Sequence, residues 1–331
     1  MHRDRYSNAA FIEVKIMPVS KVTVDEFIEI WRTHKSPGKV AKVLGIAERN
    51  VMARRRRIEA LRGINLSSDV SIPIIQDHPK RLDLGILNGK IVVFSDAHFW
   101  PGVRTTAFKA LLRFIKTYKP RAVICNGDAF DGASISRFPA HFLDHVPTVK
   151  EELEACKTSM EEIEDVSGEA KLIWTLGNHD SRFENRVIAN TPQFRDTPGF
   201  SLNHHFIKWQ SCWSVWNCDT VIKHKWKGGL HATHNNTVNA GVNIVTGHLH
   251  SLKVTPFDDY TGTRYGVDTG TLAEPSGPQF RNYLEESPTN WRSGFVVLTF
   301  HDGRLLWPEV VKVCGPDVVE WRGEVFDVSA Y

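Results

Sequence analysis

Five short apolar runs in this chain each stop at an acidic, amide or imidazole side chain. IVVFS leads to Asp96 and His98, AVICN to Gly127 and Asp128, and LIWTL to Gly177, Asn178, His179 and Asp180. TVIK leads to His224, and NIVT to Gly247, His248 and His250. Runs this short and this rich in β-branched residues read as buried strands rather than helices. An acid or an imidazole at the end of such a strand is expensive to bury unless something charged receives it. In open α/β sheets ligands gather beyond the carboxyl ends of the strands, so the five endings are expected to converge on one crevice.

Helical patterns separate the strands. TTAFKALLRFIKTY places Phe108, Leu111, Leu112 and Ile115 on one face, and residues 149–165 do the same with Leu153, Cys156, Met160 and Ile163. The glutamates of that second stretch are expected to face solvent. RLDLGILNGKIVVFSD, turning at Asn88-Gly89, reads as a hairpin that feeds the first strand; SCWSVWNCDTVIKH and GFVVLTFHDGRLLWPEVVKV read as later hairpins. Alternating strands and helices followed by more strands predict an α/β sandwich.

Residues 1–64 have a different character. Residues 1–66 hold 14 Lys and Arg against 7 Asp and Glu, which leaves the rest of the chain net acidic although the whole carries +3. Thr23 is a candidate N-cap for a helix with Phe27, Ile28 and Trp31 inward, and Ser36-Pro37 restarts a helix that stops at Gly45. A third, basic helix runs from about Ala47 to Gly63 with Val51, Ile58 and Leu61 on one side. Two helices around a glycine turn, the second basic, resemble a helix-turn-helix unit, which implies DNA contact through Arg49, Arg54, Arg55 and Arg57; Arg54 stands where that motif is usually apolar. Residues 65–80, with Pro73 and Pro79, read as a linker to a domain spanning 81–331.

Composition excludes several classes. No apolar run approaches the ~18 residues of a membrane span, and the N-terminal stretch lacks a signal-peptide pattern, so a cytoplasmic protein is expected. Five scattered cysteines without a CxxC pair argue against both a disulfide framework and a thiolate zinc site.

Taken in order, D-x-H, GD-x-x-D, GNHD, H and GH-x-H resemble the calcineurin-like metallophosphoesterase superfamily over roughly residues 90–313. The resemblance implies a four-layer αββα sandwich of two mixed sheets and a pair of divalent transition-metal ions, manganese first, with iron, zinc, cobalt or nickel as alternatives. It assigns Asp96, His98 and His250 to one ion, Asn178, His224 and His248 to the other, and Asp128 to a bridge between them. A metal-bridging hydroxide would attack phosphorus in line. His179 would face the scissile phosphate without binding metal, and Asp131 and Asp180 would orient their neighbours. His231 and His234 compete with His224, which lacks the glycine that commonly follows the family's fourth histidine. Gly132 and Asp180 stand where the Ser/Thr phosphatase branch carries Arg and Glu, so the motifs look closer to the nuclease and phosphodiesterase branch.

Together with the basic head, this reading expects a phosphodiesterase that acts on DNA. The alternatives are a hydrolase of small phosphoesters such as nucleotides or phosphoproteins, and a DNA-binding adaptor whose metal site is not catalytic. The aromatic-rich stretch 181–218, including His204, His205, Trp209, Trp213 and Trp216, is read chiefly as core, with a substrate wall as its second reading.

Overall fold

Thr23 caps the first helix, α1 (Val24–His34), as expected: its hydroxyl accepts from the Glu26 N–H at 3.2 Å while the Glu26 carboxylate accepts from the Thr23 N–H at 2.7 Å. The computed structural model describes residues 22–64, 66, 78–136, 146–194, 197–280 and 289–331. The chain divides into two compact units, Met1–Ile75 and Gln76–Tyr331. In the first, Pro37 opens α2 (Pro37–Leu44), but Ser36 makes no side-chain cap bond. Gly45, left-handed at φ 64°, ends α2 and turns the chain into α3 (Glu48–Arg62).

Phe27, Trp31, Val40, Leu44, Val51 and Ile58 close a small core between these three helices. Leu61, expected inward, is 70% exposed. It lies ten residues from Val51, about 80° round the helix from the Val51–Ile58 stripe. Arg54 and Arg55 are drawn into the unit. The Arg54 guanidinium lies 5.1 Å over the Phe27 ring and donates to the Val22 and Thr23 carbonyls. Arg55 lies 4.8 Å over Trp31 and bonds Glu59 at 2.9 Å. Arg49, Arg56 and Arg57 are exposed.

The second unit is built on two mixed sheets. The larger runs β15 (Glu324–Asp327), β14 (Val318–Trp321), β13 (Glu309–Gly315), β11 (Gly294–His301), β2 (Gly89–Phe94), β3 (Ala122–Cys125), β4 (Lys171–Thr175) and β5 (Gln210–Cys212), with β12 (Arg304–Leu305) paired to β11. The smaller runs β1 (Leu82–Asp83), β6 (Val215–Asn217), β7 (Thr220–Ile222), β8 (Asn243–Thr246), β10 (Gly262–Asp268) and β9 (Lys253–Asp259). Strand β2 shows why two cores form. Val92 and Phe94 point to α4 (Thr106–Tyr118) and α5 (Val149–Ser167), while Ile91 and Val93 point to Ile222, Val245 and Val267 of the other sheet. Helix α7 (Ala232–Ala240) covers the outer face of the smaller sheet, its Thr233 backbone pressed on Gly266, and α6 (Asp180–Asn190) follows β4. The layers are therefore αββα, the expected metallophosphoesterase architecture.

Local readings fared less evenly. The Asn88-Gly89 hairpin does not form: β1 pairs in parallel with β6 in the smaller sheet, whereas β2 lies in the larger one. Asn88 instead bonds Asp302, tying the crossing between sheets to the β11–β12 turn. SCWSVWNCDTVIKH likewise splits, with β5 in the larger sheet and only β6 and β7 forming the hairpin, about Cys218 at φ 53°. Residues 65 and 67–77 of the expected linker lie outside the described residues; from His78 the chain is held in the second unit, where His78 bonds Ser211 at 2.7 Å and Glu184 at 3.0 Å.

Candidate metal centre

Strands β2, β3 and β4 run parallel and adjacent in one sheet, β7 and β8 parallel and adjacent in the other, and their carboxyl ends meet. The loops there are tightly wound. Asp96, His98, Asp128, His248 and His250 all hold positive φ, between 40° and 72°, a conformation L-residues seldom adopt and one that gathers at functional sites. Gly177 and Gly247 let these loops touch: a Cβ at Gly177 would fall 2.0 Å from Asp128 Oδ1, and one at Gly247 2.7 Å from Asp96 Oδ2.

Three overlapping groups of side chains result, each with its potential ligand atoms within 4.8 Å of one another: Asp96, His98 and His250; His98, Asp128 and His179; Asp128, His224 and His248. Asp96 accepts from the His248 N–H at 2.9 Å and lies 3.1 Å from His250 Nε2. Asp128 lies 3.0 Å from His224 Nε2 and 3.9 Å from His179 Nε2. Burial alone would raise the pKa of both acids, but His250 and then His224 hold Asp96 down at about 2, and His224 with His179 hold Asp128 well below the usual carboxylate range. Both are anions at neutral pH. His224, whose burial works the other way, is pushed up to about 10 by Asp128 and Asp96. A cluster of this charge density is stable only if cations, protons or metal ions, sit within it.

The supporting acids have separate tasks. Asp131 Oδ1 accepts from His98 Nδ1 at 2.6 Å and lies 2.9 Å from His179 Nδ1, which also donates to the Asp131 carbonyl at 3.0 Å. Asp180 bears on backbone: its carboxylate accepts from the N–H groups of Asp128, Phe130 and Gly177 and from the Trp174 indole. One side chain thus pins the β3 loop to the β4 loop. Arg182 adds a contact on His179, donating from Nη2 to Nε2 at 3.1 Å and from Nη1 to the Asp131 carbonyl at 3.0 Å.

A family model for the calcineurin-like phosphoesterase matches residues 89–269, more than half of the chain. The chain belongs to that family. Similar solved structures include Vps29 from Entamoeba histolytica complexed with zinc, 14% identical with a TM-score of 0.39 over 72% of this chain and 99% of that one. YfcE, a phosphoesterase from E. coli, is 15% identical with a TM-score of 0.30 over 66% and 97%. No curated protein sequence matches the chain significantly.

The family implies a dinuclear divalent centre, and the buried polar atoms of this phosphoesterase fit one. His98 Nε2, Asn178 Oδ1, His224 Nε2 and His250 Nδ1 are all buried and without a hydrogen-bond partner. Buried polar atoms are rarely left so, and four in one crevice point to a missing partner. His224 is the clearest case. Its Nδ1 bonds the Asn126 carbonyl at 2.8 Å and so carries a hydrogen, while its Nε2 lies 3.0 Å from the Asp128 carboxylate, so a cation belongs between the two: a proton in the metal-free chain, in whose place a metal ion would take the Nε2 lone pair. His98 is set the same way by Asp131. Each ring thus has one nitrogen fixed by a hydrogen bond and the other left for a cation, the arrangement that metal-binding histidines adopt.

His231 and His234, the competitors of His224, are exposed at the start of α7, with His234 against Phe257. Of the aromatic stretch, Trp209 is buried against Phe94 while Trp213 is 46% exposed, and none lines the centre. The wall comes from elsewhere: Phe280 and Trp291, with His98, Asp128, His179, His248 and His250, enclose a cavity of about 120 Å³. The Trp291 ring centroid is 4.4 Å from that of His250, and Phe280 is 5.1 Å from His98. No motif marks these two residues in sequence; each stands beyond the last metal motif and reaches the site only through the fold.

Proposed function

We propose that the second unit hydrolyses phosphodiesters of nucleic acid, with Asp96, His98 and His250 holding one divalent ion, Asn178, His224 and His248 the other, and Asp128 shared. The observation that carries the reading is the grouping of Asp96 and Asp128, both buried, with His98, His250, His224 and His248 in sets whose potential ligand atoms lie within 4.8 Å of one another. When bound, the ions supply positive charge to the phosphoryl oxygens and make water acidic enough to serve near neutral pH. Manganese is the first choice, with iron, zinc, cobalt or nickel as alternatives.

The chain's own residues do the rest. Water adds its oxygen to phosphorus, the opposite P–O ester bond breaks, and the departing oxygen takes a proton, giving a phosphomonoester and an alcohol. His179 would be the proton's source once its Nε2 exchanges the Arg182 contact for the departing oxygen: Asp128 and then Asp131 raise its pKa against its burial, and Asp131 fixes the ring through Nδ1. Phe280 and Trp291 keep that side dry and offer a flat surface to a base or sugar.

Nucleic acid is favoured by the exposed Arg49, Arg56 and Arg57 of α3, which would hold a phosphate backbone. The head, residues 1–64, then serves as a targeting module joined through residues 65–80. The test is cleavage of single- and double-stranded DNA with manganese by wild type and Asp128→Ala. Equal, background rates for both would sink the reading, and hydrolysis of p-nitrophenyl phosphate in preference to its bis ester would favour small monoesters instead.

A further inference from the structure

A second cavity opens beside the metal centre and shares His248 with the one that Phe280 and Trp291 line. It measures about 460 Å³ and is lined by Ile135, Asn178, Arg182, Asn185, Arg186, Ala189, Lys225 and His248. Two of its walls, Asn178 and His248, are candidate metal ligands, so the cavity and the centre share an edge. Three of its lining side chains are cations, and none of those described is a carboxylate. In a unit whose sequence is net acidic, three cations converging at the edge of a phosphoester site constitute a built-in preference for more negative charge.

The cations come from two directions. Arg182 and Arg186 are one turn apart on α6, the helix that begins at the GNHD motif, and Lys225 follows His224 on the facing loop. Arg182 already spans both places, since its guanidinium touches His179. Beyond Lys225 the positive rim continues: the Trp226 ring, 42% exposed, has Lys223 Nζ at 5.9 Å and Lys227 Nζ at 5.5 Å from its centroid. A phosphomonoester bound at the centre would leave this groove unused. A dinucleotide with one further phosphate would fill it.

We propose that the groove is a second phosphate subsite, which takes the phosphate flanking the scissile one in a single-stranded polynucleotide while the sugar or base on the other side lies against Phe280 and Trp291. The inference rests on the function proposed above and narrows it: the preferred substrate carries at least two phosphates. The cavity is of the size that accepts one nucleotide rather than a duplex.

The probes are thymidine dinucleotides with manganese and the full chain: TpT, which has only the scissile phosphate, and pTpT and TpTp, which add a second at either end. Wild type is expected to cleave one of the doubly phosphorylated forms at least tenfold better in kcat/KM than TpT, equivalent to about 1.4 kcal/mol. Arg186→Ala/Lys225→Ala is expected to reduce that ratio to near one. Fluorescence-detected binding of labelled TpTp and pTpT to metal-free protein gives a second readout, with the double variant expected to bind the favoured form at least fivefold more weakly. A wild-type ratio near one, or a ratio that survives the double substitution, would overturn the subsite while leaving the nuclease reading intact. If wild type hydrolyses bis-p-nitrophenyl phosphate but none of the three dinucleotides and no longer DNA, the nuclease reading itself fails and the subsite falls with it.

Discussion

Asp131 binds no metal in the proposed scheme, yet it fixes two histidines at once. Removing it frees the Nδ1 hydrogens of His98 and His179, so both rings lose their tautomer and their aim. Asp131→Ala is expected to lower kcat by roughly 10- to 100-fold and to weaken binding of one ion, read by metal content after dialysis alongside kinetics. Unchanged kinetics would mean that the rings are held by packing alone. Glu152 makes a different case, and one the sequence hid: among the glutamates of α5, expected to face solvent, it is fully buried. Its Oε1 accepts from the Ala133 N–H at 3.0 Å, and burial pushes its pKa up from 4.5 to about 8. Its contribution is complete below pH 4.5, where folded and unfolded chains both carry the proton. Between about 4.5 and 8 only the folded chain keeps it, so stability falls as pH rises through that window. Glu152→Gln should therefore melt with wild type at pH 4 and above it at pH 8; a gap that does not widen with pH would show the carboxyl ionised throughout.

At the scale of elements, strand position was more legible than strand pairing. All five motifs sit at the strand ends where apolar runs stop, because burial on both faces keeps residues 91–94 of β2, Ala122–Cys125 of β3 and residues 172–174 of β4 free of polar side chains. Partnership is not encoded locally. Asn88-Gly89 carries a strong hairpin signal, but β1 finds its partner 133 positions on, at Leu82↔Val215. Phe280 and Trp291 were hidden for the same reason, as was the exposed Arg186 of α6: nothing near them in sequence says what faces them. In the head, periodicity located three helices, but it could not show that Arg54 and Arg55 would spend their charge on carbonyls, Glu59 and aromatic faces. Trp31→Ala, which empties the centre of that core, is expected to cost the head about 3–5 kcal/mol. Hydrogen exchange should speed up in α1–α3 while the amides of β2 stay protected, and equal loss in both would show that the two units unfold together.

For the whole molecule, metal bound at the candidate centre would add to stability. Adding manganese or zinc to metal-free protein should raise Tm by several degrees in a concentration-dependent way, since the ions bind only the folded chain, and Asp128→Asn should lose most of that gain. The centre is shared between the two sheets. Asp96, His98, Asp128 and Asn178 ride on the larger sheet and His224, His248 and His250 on the smaller, with Ile91, Val93, Ile222 and Val245 packed between. The span of the site is therefore set by the girth of side chains that never touch it. A centre gauged in this way is tuned like the jaws of a vice: trimming Val245 to alanine should let the sheets settle together and shift which ion is preferred, read as a changed manganese-to-zinc ratio at unchanged ligands. Drift in the filling between the sheets is thus a route by which relatives with identical motifs could come to prefer different metals.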